Sequence, residues 1–248
     1  MTTYEDHYSG HAQAYARHRP RYPAQLFDWL ASVAPGRVLA WDVGTGNGQV
    51  AVGLAEHFVR VVATDASGDQ LARAVAHERV TYRNEHAGGV SLPDGSVDLV
   101  TAGAAAHWFE LESFYAEVRR VARSGAVVAL FSYGPRDIAD AVGPVMHRFH
   151  DEVLAGFWPE RIRYVHDRYA TLPFPFDEIA APPLLMTGTW SLHDLMALLD
   201  TWSASQRYLQ QHGKRAVDEI FGELAAAWGD ADQRRELRWP LFVRAGRV

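Results

Sequence analysis

Cysteine is absent from the chain. Its absence excludes disulfides, thiolate metal sites and cysteine nucleophiles together, and it suits a reducing cytoplasm, where we expect the protein to reside. Long apolar runs are missing too. None approaches the ~18 residues needed to span a bilayer, and the polar opening "MTTYEDHYSGHAQAY" does not read as a secretory signal. A basic excess is also lacking. Lys and Arg number 24 against 30 Asp and Glu, a formal charge of −6. The basic clusters "RHRPR" (17–21), "RIR" (161–163) and "RRELR" (234–238) are small and read as solvated surface. Neither nucleic acid nor a membrane is therefore an expected partner. There is no internal repeat and no low-complexity tract. What remains is an ordinary globular composition, 48% hydrophobic and 22% charged over 248 residues. That is enough for one domain with a cap and a core that needs no staples.

The first half alternates β-rich runs with helical patterns, the signature of a parallel sheet covered by helices. Strands are predicted at "RVLAWDV" (37–43), "VRVVATD" (59–65), "VTYR" (80–83), "SVDLVTAG" (96–103) and "AVVALFSYG" (126–134). Helices are predicted at 50–58, with Val50, Leu54 and Phe58 on one face, at 67–78, and at 111–122, with Phe114, Val118 and Val121 inward. Ser67 and Gln70 have the spacing of a capping box. This order is a doubly wound α/β pattern. After Gly134 the rhythm changes to a Pro- and aromatic-rich stretch, 135–183, read as an insertion or lid. A strand (184–190), one or two helices (191–211, Ser191 as N-cap), a helix (217–228) and a closing strand, "LRWPLFVRAGRV", complete the chain. We divide it into an N-terminal lid (1–36), a cofactor-binding core (37–134), the insertion (135–183) and a C-terminal part of the core (184–248).

The stretch "LAWDVGTGNGQV" (39–50) places Gly44, Gly46 and Gly48 directly after the first strand. Glycines between a strand and a helix let backbone amides approach a ligand. A dinucleotide fingerprint has its glycines at the first, third and sixth positions. Here the third glycine comes one residue early, and Gln49 stands where the fingerprint wants glycine. Asp42, two residues before Gly44, would repel a pyrophosphate but suits a ligand with an ammonium group and a positive sulfur. Asp65 ends the second strand, where an acid accepts hydrogen bonds from both ribose hydroxyls of an adenosine.

At these residues the chain resembles the class I S-adenosylmethionine-dependent methyltransferases, and within them the trans-aconitate methyltransferase-like small-molecule branch. The stretches "YARHRPRYP", "VLAWDVGTGNGQ", "VVATDASGDQL", "LPDGSVDLVTAGAAAHWF" and "FYAEVRRVARSGAVVAL" carry the resemblance over the first 135 residues. It implies a Rossmann-like, doubly wound sheet of seven strands, mostly parallel, with the last strand reversed. It also implies S-adenosyl-L-methionine as cofactor, S-adenosyl-L-homocysteine as product and a small-molecule acceptor. Asp42 and the Gly44–Gly48 backbone, with Thr45 and Gln49, would hold the methionine end. Asp65 would hold the ribose, Ala66 and Gln70 would flank the adenine, and Ala87 would touch its edge. Tyr15 and Arg19 would cover the cofactor, Arg19 facing its carboxylate. The chain departs from its relatives at Gly88, where they often carry an acid, and at Ala104, where they often carry Gln. Adenine recognition is thereby left to backbone groups or to Glu85.

His107 and Trp108 follow the fourth strand at its carboxyl end, the edge that borders the crevice in such folds. His107 is the candidate base or acceptor-orienting donor, and Trp108, Tyr133 and Trp158 are candidates for the acceptor wall. Phe157, Phe174, Phe176, Trp190, Trp202 and Tyr208 add to that aromatic supply. No metal is expected: "HYSGH" (7–11) has i,i+4 spacing but contains Gly10 and lacks a third ligand. His147 and His150 read as a solvated helix face. The function implied is methyl transfer to a carboxylate or hydroxyl oxygen by a monomer or homodimer. The competing readings are a non-catalytic S-adenosylmethionine-binding module and a nicotinamide-dependent oxidoreductase.

Overall fold

A computed structural model describes residues 20–134 and 141–248. In chain order the main elements are α1 (Ala24–Val33), β1 (Leu39–Val43), α2 (Gln49–Ala55), β2 (Arg60–Asp65), β3 (Val80–Asn84), β4 (Val97–Gly103), α3 (Leu111–Val121) and β5 (Ala122–Tyr133). They are followed by α4 (Gly143–Arg148), β6 (Asp177–Ile179), β7 (Leu184–Trp190), α5 (Leu192–Asp200), α6 (Ser203–His212), α7 (Phe221–Trp228) and β8 (Arg235–Arg247).

The sheet order is β3-β2-β1-β4-β5-β8-β6, with β7 also paired to β8. β1 to β5 are parallel, and β8 runs antiparallel to β5. The eight strand segments occupy seven lanes. The long β8 pairs with β6 at residues 245–247 and with β7 at residues 235–241, so β6 and β7 share the seventh lane. This is the expected seven-stranded Rossmann-like sheet with its reversed last strand. β6 was not expected. Its sequence, "DEI", has no strand pattern, and only its ladder with Ala245–Arg247 makes it a strand.

The apolar run "LAWDV" is buried along its whole length because both faces of a central parallel strand are covered. Side chains alternate between two cores. Ala40, Leu99, Val127, Ala129 and Phe131 pack with Leu26 and Leu30 of α1 and Val50 and Leu54 of α2. Trp41, Val43, Val100, Val128 and Leu130 pack on the other face with Phe114, Val118 and Val121 of α3. The insertion contributes to both: Met146 and Phe149 join the first core, and Ile162, Val165 and Tyr169 the second.

The helix expected over 67–78 is a single turn, Gly68–Leu71. Ser67 Oγ accepts the Gln70 amide at 3.3 Å, forming half of the capping box. Beyond it the backbone is diverted. Val75 N–H donates to Asn47 O at 3.0 Å, and Val75 O accepts the Tyr82 hydroxyl at 2.7 Å, so the segment is tied to the glycine loop rather than to its own preceding turn. Ser191 caps α5 in a full capping box with Asp194. His150, expected on a solvated face, is buried among Trp158, His166 and Trp202. Among the described residues no helix is long and apolar enough to cross a membrane.

Candidate active site

The chain winds outward from β1 to β3, then returns to continue at β4 on the other side of β1. The crevice at the strands' carboxyl ends, where that reversal occurs, is the place such sheets bind ligands. A cavity of about 860 Å³ lies there.

Its first wall is the loop after β1. Gly44 has φ +66°, and a Cβ on it would stand 2.6 Å from the Ala105 Cβ, so conformation and space both demand glycine. The Gly44 and Thr45 amides both donate to Thr64 O, at 2.8 and 3.0 Å. Gly48 has φ +86° and would strike the Tyr82 hydroxyl with any side chain. It shapes the loop from behind and is not at the cavity wall.

Two carboxylates stand at this end. Asp42 is 1% exposed. Its oxygens accept the Thr45 hydroxyl at 2.5 Å and the Thr101 hydroxyl at 2.8 Å. Burial nonetheless pushes its carboxyl up to about 7, against the pull of those two bonds and with a small push from Asp65. Asp65 accepts the Gly46 amide on one oxygen and the Ser67 amide on the other, both at 2.8 Å. A carboxylate has about four acceptor sites, and Asp65 lines the cavity. Gln70 reaches the same wall, and its buried Oε1 has no hydrogen-bond partner.

This arrangement fits S-adenosylmethionine: two acids where cationic and hydroxyl groups must be held, an orphaned amide oxygen, and a backbone loop without side chains. Thr45, Gly46, Gln49, Ala66, Ala87, Gly88 and Ala104 line the cavity together with Asp42, Gly44, Asp65 and Gln70. Gly88 has a steric reason to be glycine, since a Cβ would sit 2.7 Å from Ser113 Oγ. Ser113 itself lines the cavity. Glu85 does not line it; its carboxylate accepts the Ser91 amide at 3.1 Å. Ala104 adopts φ +52°, a left-handed conformation unusual for a residue with a Cβ. Tyr15, Arg19 and the His7/His11 pair lie outside the described residues.

The acceptor side matches the sequence reading less closely. Trp108 and Tyr133 line the cavity, but His107 and Trp158 do not. His107 is 4% exposed, its ring 4.8 Å from that of Trp108, and its Nδ1 shares a 2.9 Å hydrogen bond with the Tyr169 hydroxyl. It backs the wall rather than forming it. Trp158 donates from Nε1 to His150 O at 3.0 Å and stacks beside His150 and Trp202, while the next residue, Pro159, reaches the cavity. Sequence reading missed Tyr22, Asn47, Phe109, Ser113, Arg161 and Arg207, all in the lining. Arg207 did leave a signal. It lies between Ser203 and Ala204 on the helical wheel, on the buried face of α6. Arg161 bridges the insertion to the loop after β4, donating to Trp108 O, Phe109 O and Glu110 Oε1. Among the described residues no group of His, Asp and Glu is placed to hold a metal.

Comparison with known proteins agrees with this geometry. Residues 41–130 match a family model described as a methyltransferase domain. The chain is 30% identical over 249 residues to a protein of Dictyostelium discoideum named as a methyltransferase, covering 98% of this chain and 95% of that one. It is 33% identical over 147 residues to a malonyl-acyl-carrier-protein O-methyltransferase of Dechloromonas aromatica, covering 56% of this chain and 53% of the relative. A solved structure from Anaeromyxobacter dehalogenans, named as a Type II methyltransferase, superposes with a TM-score of 0.86 at 45% identity, covering 92% of this chain and 97% of that one.

Proposed function

The chain belongs to the class I S-adenosylmethionine-dependent methyltransferases, and from that premise we propose that it methylates a small molecule at an oxygen, a carboxylate in preference to a hydroxyl. When bound, the cofactor supplies a methyl group on a positive sulfur that leaves as a neutral thioether. Asp65 holds the ribose, and Asp42 with the Gly44–Gln49 loop holds the aminoacyl end. Tyr22, Trp108, Phe109 and Tyr133 screen the acceptor from water, which keeps the attacking oxygen from being over-solvated. The cavity would hold the acceptor oxygen in line with that methyl group. Holding the two in line supplies on the order of 7–11 kcal/mol of the barrier reduction.

The observation that carries the oxygen assignment is the position of His107. It is the histidine the sequence offered as base, yet it stands behind Trp108, bonded to Tyr169. An acceptor already anionic needs no base, whereas a hydroxyl does. The O-methyltransferase relative supports the same choice. The cavity volume of about 860 Å³ is near the upper end for small-molecule sites, which favours an open acceptor space over a sensor that binds cofactor alone.

The test is to incubate the protein with methyl-labelled S-adenosylmethionine and a metabolite extract and to identify labelled products by mass. A labelled methyl ester is expected. Cofactor binding with no label transferred to any extract would turn the reading to the non-catalytic module.

A further inference from the structure

Two adjacent residues of the insertion, Arg168 and Tyr169, hold φ of +57° and +62°. Neither is glycine, and a bulky side chain stays in the left-handed region only where its surroundings fix it there. Here they do. The turn follows the short helix Arg163–His166, and the Tyr169 amide reaches back to donate to Tyr164 O at 2.6 Å. Arg244 of β8 donates to Tyr169 O at 2.9 Å and to Leu172 O at 2.6 Å. The Tyr169 ring is fully buried and meets Phe242 of β8 edge-on, 5.1 Å between centroids. This ordering aims one polar atom. The Tyr169 hydroxyl stands 2.9 Å from Nδ1 of His107, in the turn after β4. The His107 ring lies 4.8 Å from that of Trp108, which lines the cavity. A continuous run of contacts thus joins the strained turn, through His107, to the acceptor wall.

Resting on the methyltransferase reading above, we propose that Tyr169 is a positioning residue for the acceptor. Its hydroxyl donates to His107 Nδ1, fixes that ring as the Nε2–H tautomer, and through it sets the angle at which Trp108 faces the acceptor. A phenol is a better proton donor than a neutral imidazole, so the hydroxyl gives the hydrogen and Nδ1 accepts it. The bond made at one ring nitrogen decides that the other keeps its proton. With His107 4% exposed and Tyr169 0% exposed, neither partner can exchange this bond for one to water. Packing against Phe242 would be served equally by phenylalanine at position 169. The hydroxyl is what the left-handed turn delivers.

The experiment uses the full chain, 15N-labelled in histidine and tryptophan and saturated with S-adenosylhomocysteine. His107→Gln and Trp108→Phe assign the two side-chain signals. Wild type is expected to show His107 protonated at Nε2 alone. Tyr169→Phe should give a mixture of tautomers and move the Trp108 indole resonance, while the dissociation constant of S-adenosylhomocysteine changes less than about twofold. Phe242→Leu loosens the packing of the Tyr169 ring but keeps the hydroxyl; it should lower the melting temperature and leave both signals in place. In methyl transfer from labelled S-adenosylmethionine to a metabolite extract, Tyr169→Phe should raise the apparent Michaelis constant for the extract about fivefold, with the maximum rate within twofold. His107 protonated at Nδ1 in wild type, or a Trp108 signal indifferent to Tyr169→Phe, overturns the proposal. So does Phe242→Leu moving both signals as far as Tyr169→Phe does, since packing alone would then set the wall. A fall in maximum rate at constant Michaelis constant also overturns it, placing His107 in the chemistry. If wild type labels nothing in any extract, the reading under Proposed function fails, and the resonance measurements still decide the role of Tyr169.

Discussion

The two ends of the cavity are built in different ways. At the β1–β2 end the wall comes from two neighbouring loops, and its polar groups are pinned by short local bonds: Thr45 to Asp42, Gly46 to Asp65, Ser67 to Asp65. At the β5 end Tyr22, Tyr133, Pro159 to Arg161 and Arg207 arrive from four stretches far apart in sequence. The first end is a motif and the second is an assembly. A motif fixes a ligand common to many proteins. An assembly of loop and insertion residues changes its ligand by changing one contributor at a time while the scaffold stands.

The largest effect expected from breaking this contrast is at Asp65. Asp65→Ala removes the acceptor for Gly46 and Ser67 as well as the proposed ribose contact. Cofactor affinity should fall by roughly 1.5–3 kcal/mol, the scale of hydrogen bonds to a charged group. Calorimetry with S-adenosylhomocysteine reads this directly, and an unchanged dissociation constant would remove the ribose assignment.

Asp42 gives a pH signature at the same end. Burial lifts its carboxyl from the ordinary 3.8 to about 7, so in mild acid the Asp42 carboxyl of the ligand-free chain is largely neutral. A cationic cofactor binds the ionised form. The log of its association constant should rise by about one per pH unit below pH 7 and flatten above it. Stability moves the opposite way. Between 3.8 and about 7 the folded chain holds a proton that the unfolded chain has released, so this group lowers the stability of the ligand-free protein as pH rises through that window. Asp42→Asn should abolish both trends. Affinity independent of pH between 5.5 and 8 would show that Asp42 does not face the cofactor's charge.

The same contrast explains what was legible in the sequence. The glycine spacing, Asp42 and Asp65 are local, and local patterns survive being read without a fold. The alternation of β1, β4 and β5 between two covered faces also shows in the sequence as apolar runs. Arg161 could not be placed, and the helical wheel turned Arg207 inward without showing what it meets, because what brings them to the cavity is the packing of α6 on the insertion and the bridge to the β4 loop. His107 misled for the complementary reason. Its position after β4 is right for a wall residue, but the short helical turn Ala106–Trp108 sends Trp108 to the cavity and His107 behind it. β6 was invisible because three residues with no apolar pattern become a strand only through β8.

Arg161 tests the assembled end without touching the motif. Its bonds to Trp108 O, Phe109 O and Glu110 are all that the described structure shows joining its side chain to the β4 loop. Arg161→Ala should cost about 1–2 kcal/mol of stability, because the ion pair is partly exposed and the two bonds from the guanidinium to backbone carbonyls carry most of the effect. The Michaelis constant for the acceptor should rise several-fold while the cofactor dissociation constant stays within twofold. Equal losses at both ends would mean that the cavity responds as one unit.

The smallest effect is expected at the seam between the two ends. Ala104 follows β4, lines the cavity and holds φ +52°, with its amide donating to Phe131 O at 2.7 Å. A left-handed alanine costs roughly 1–2 kcal/mol, and glycine at the same place avoids that strain but loses about 0.5–1 kcal/mol more chain entropy on folding. The net gain for Ala104→Gly is therefore about 0–1.5 kcal/mol, a rise in Tm of a few degrees at most for a chain of this size. If the strain is incidental to the fold, cofactor affinity will not change with it. If the melting temperature rises while affinity for S-adenosylhomocysteine falls, the strained residue is holding the motif end and the assembled end in register. Strain stored at a ligand wall generally has that use, and the loss of affinity is the outcome we expect, of about two- to threefold.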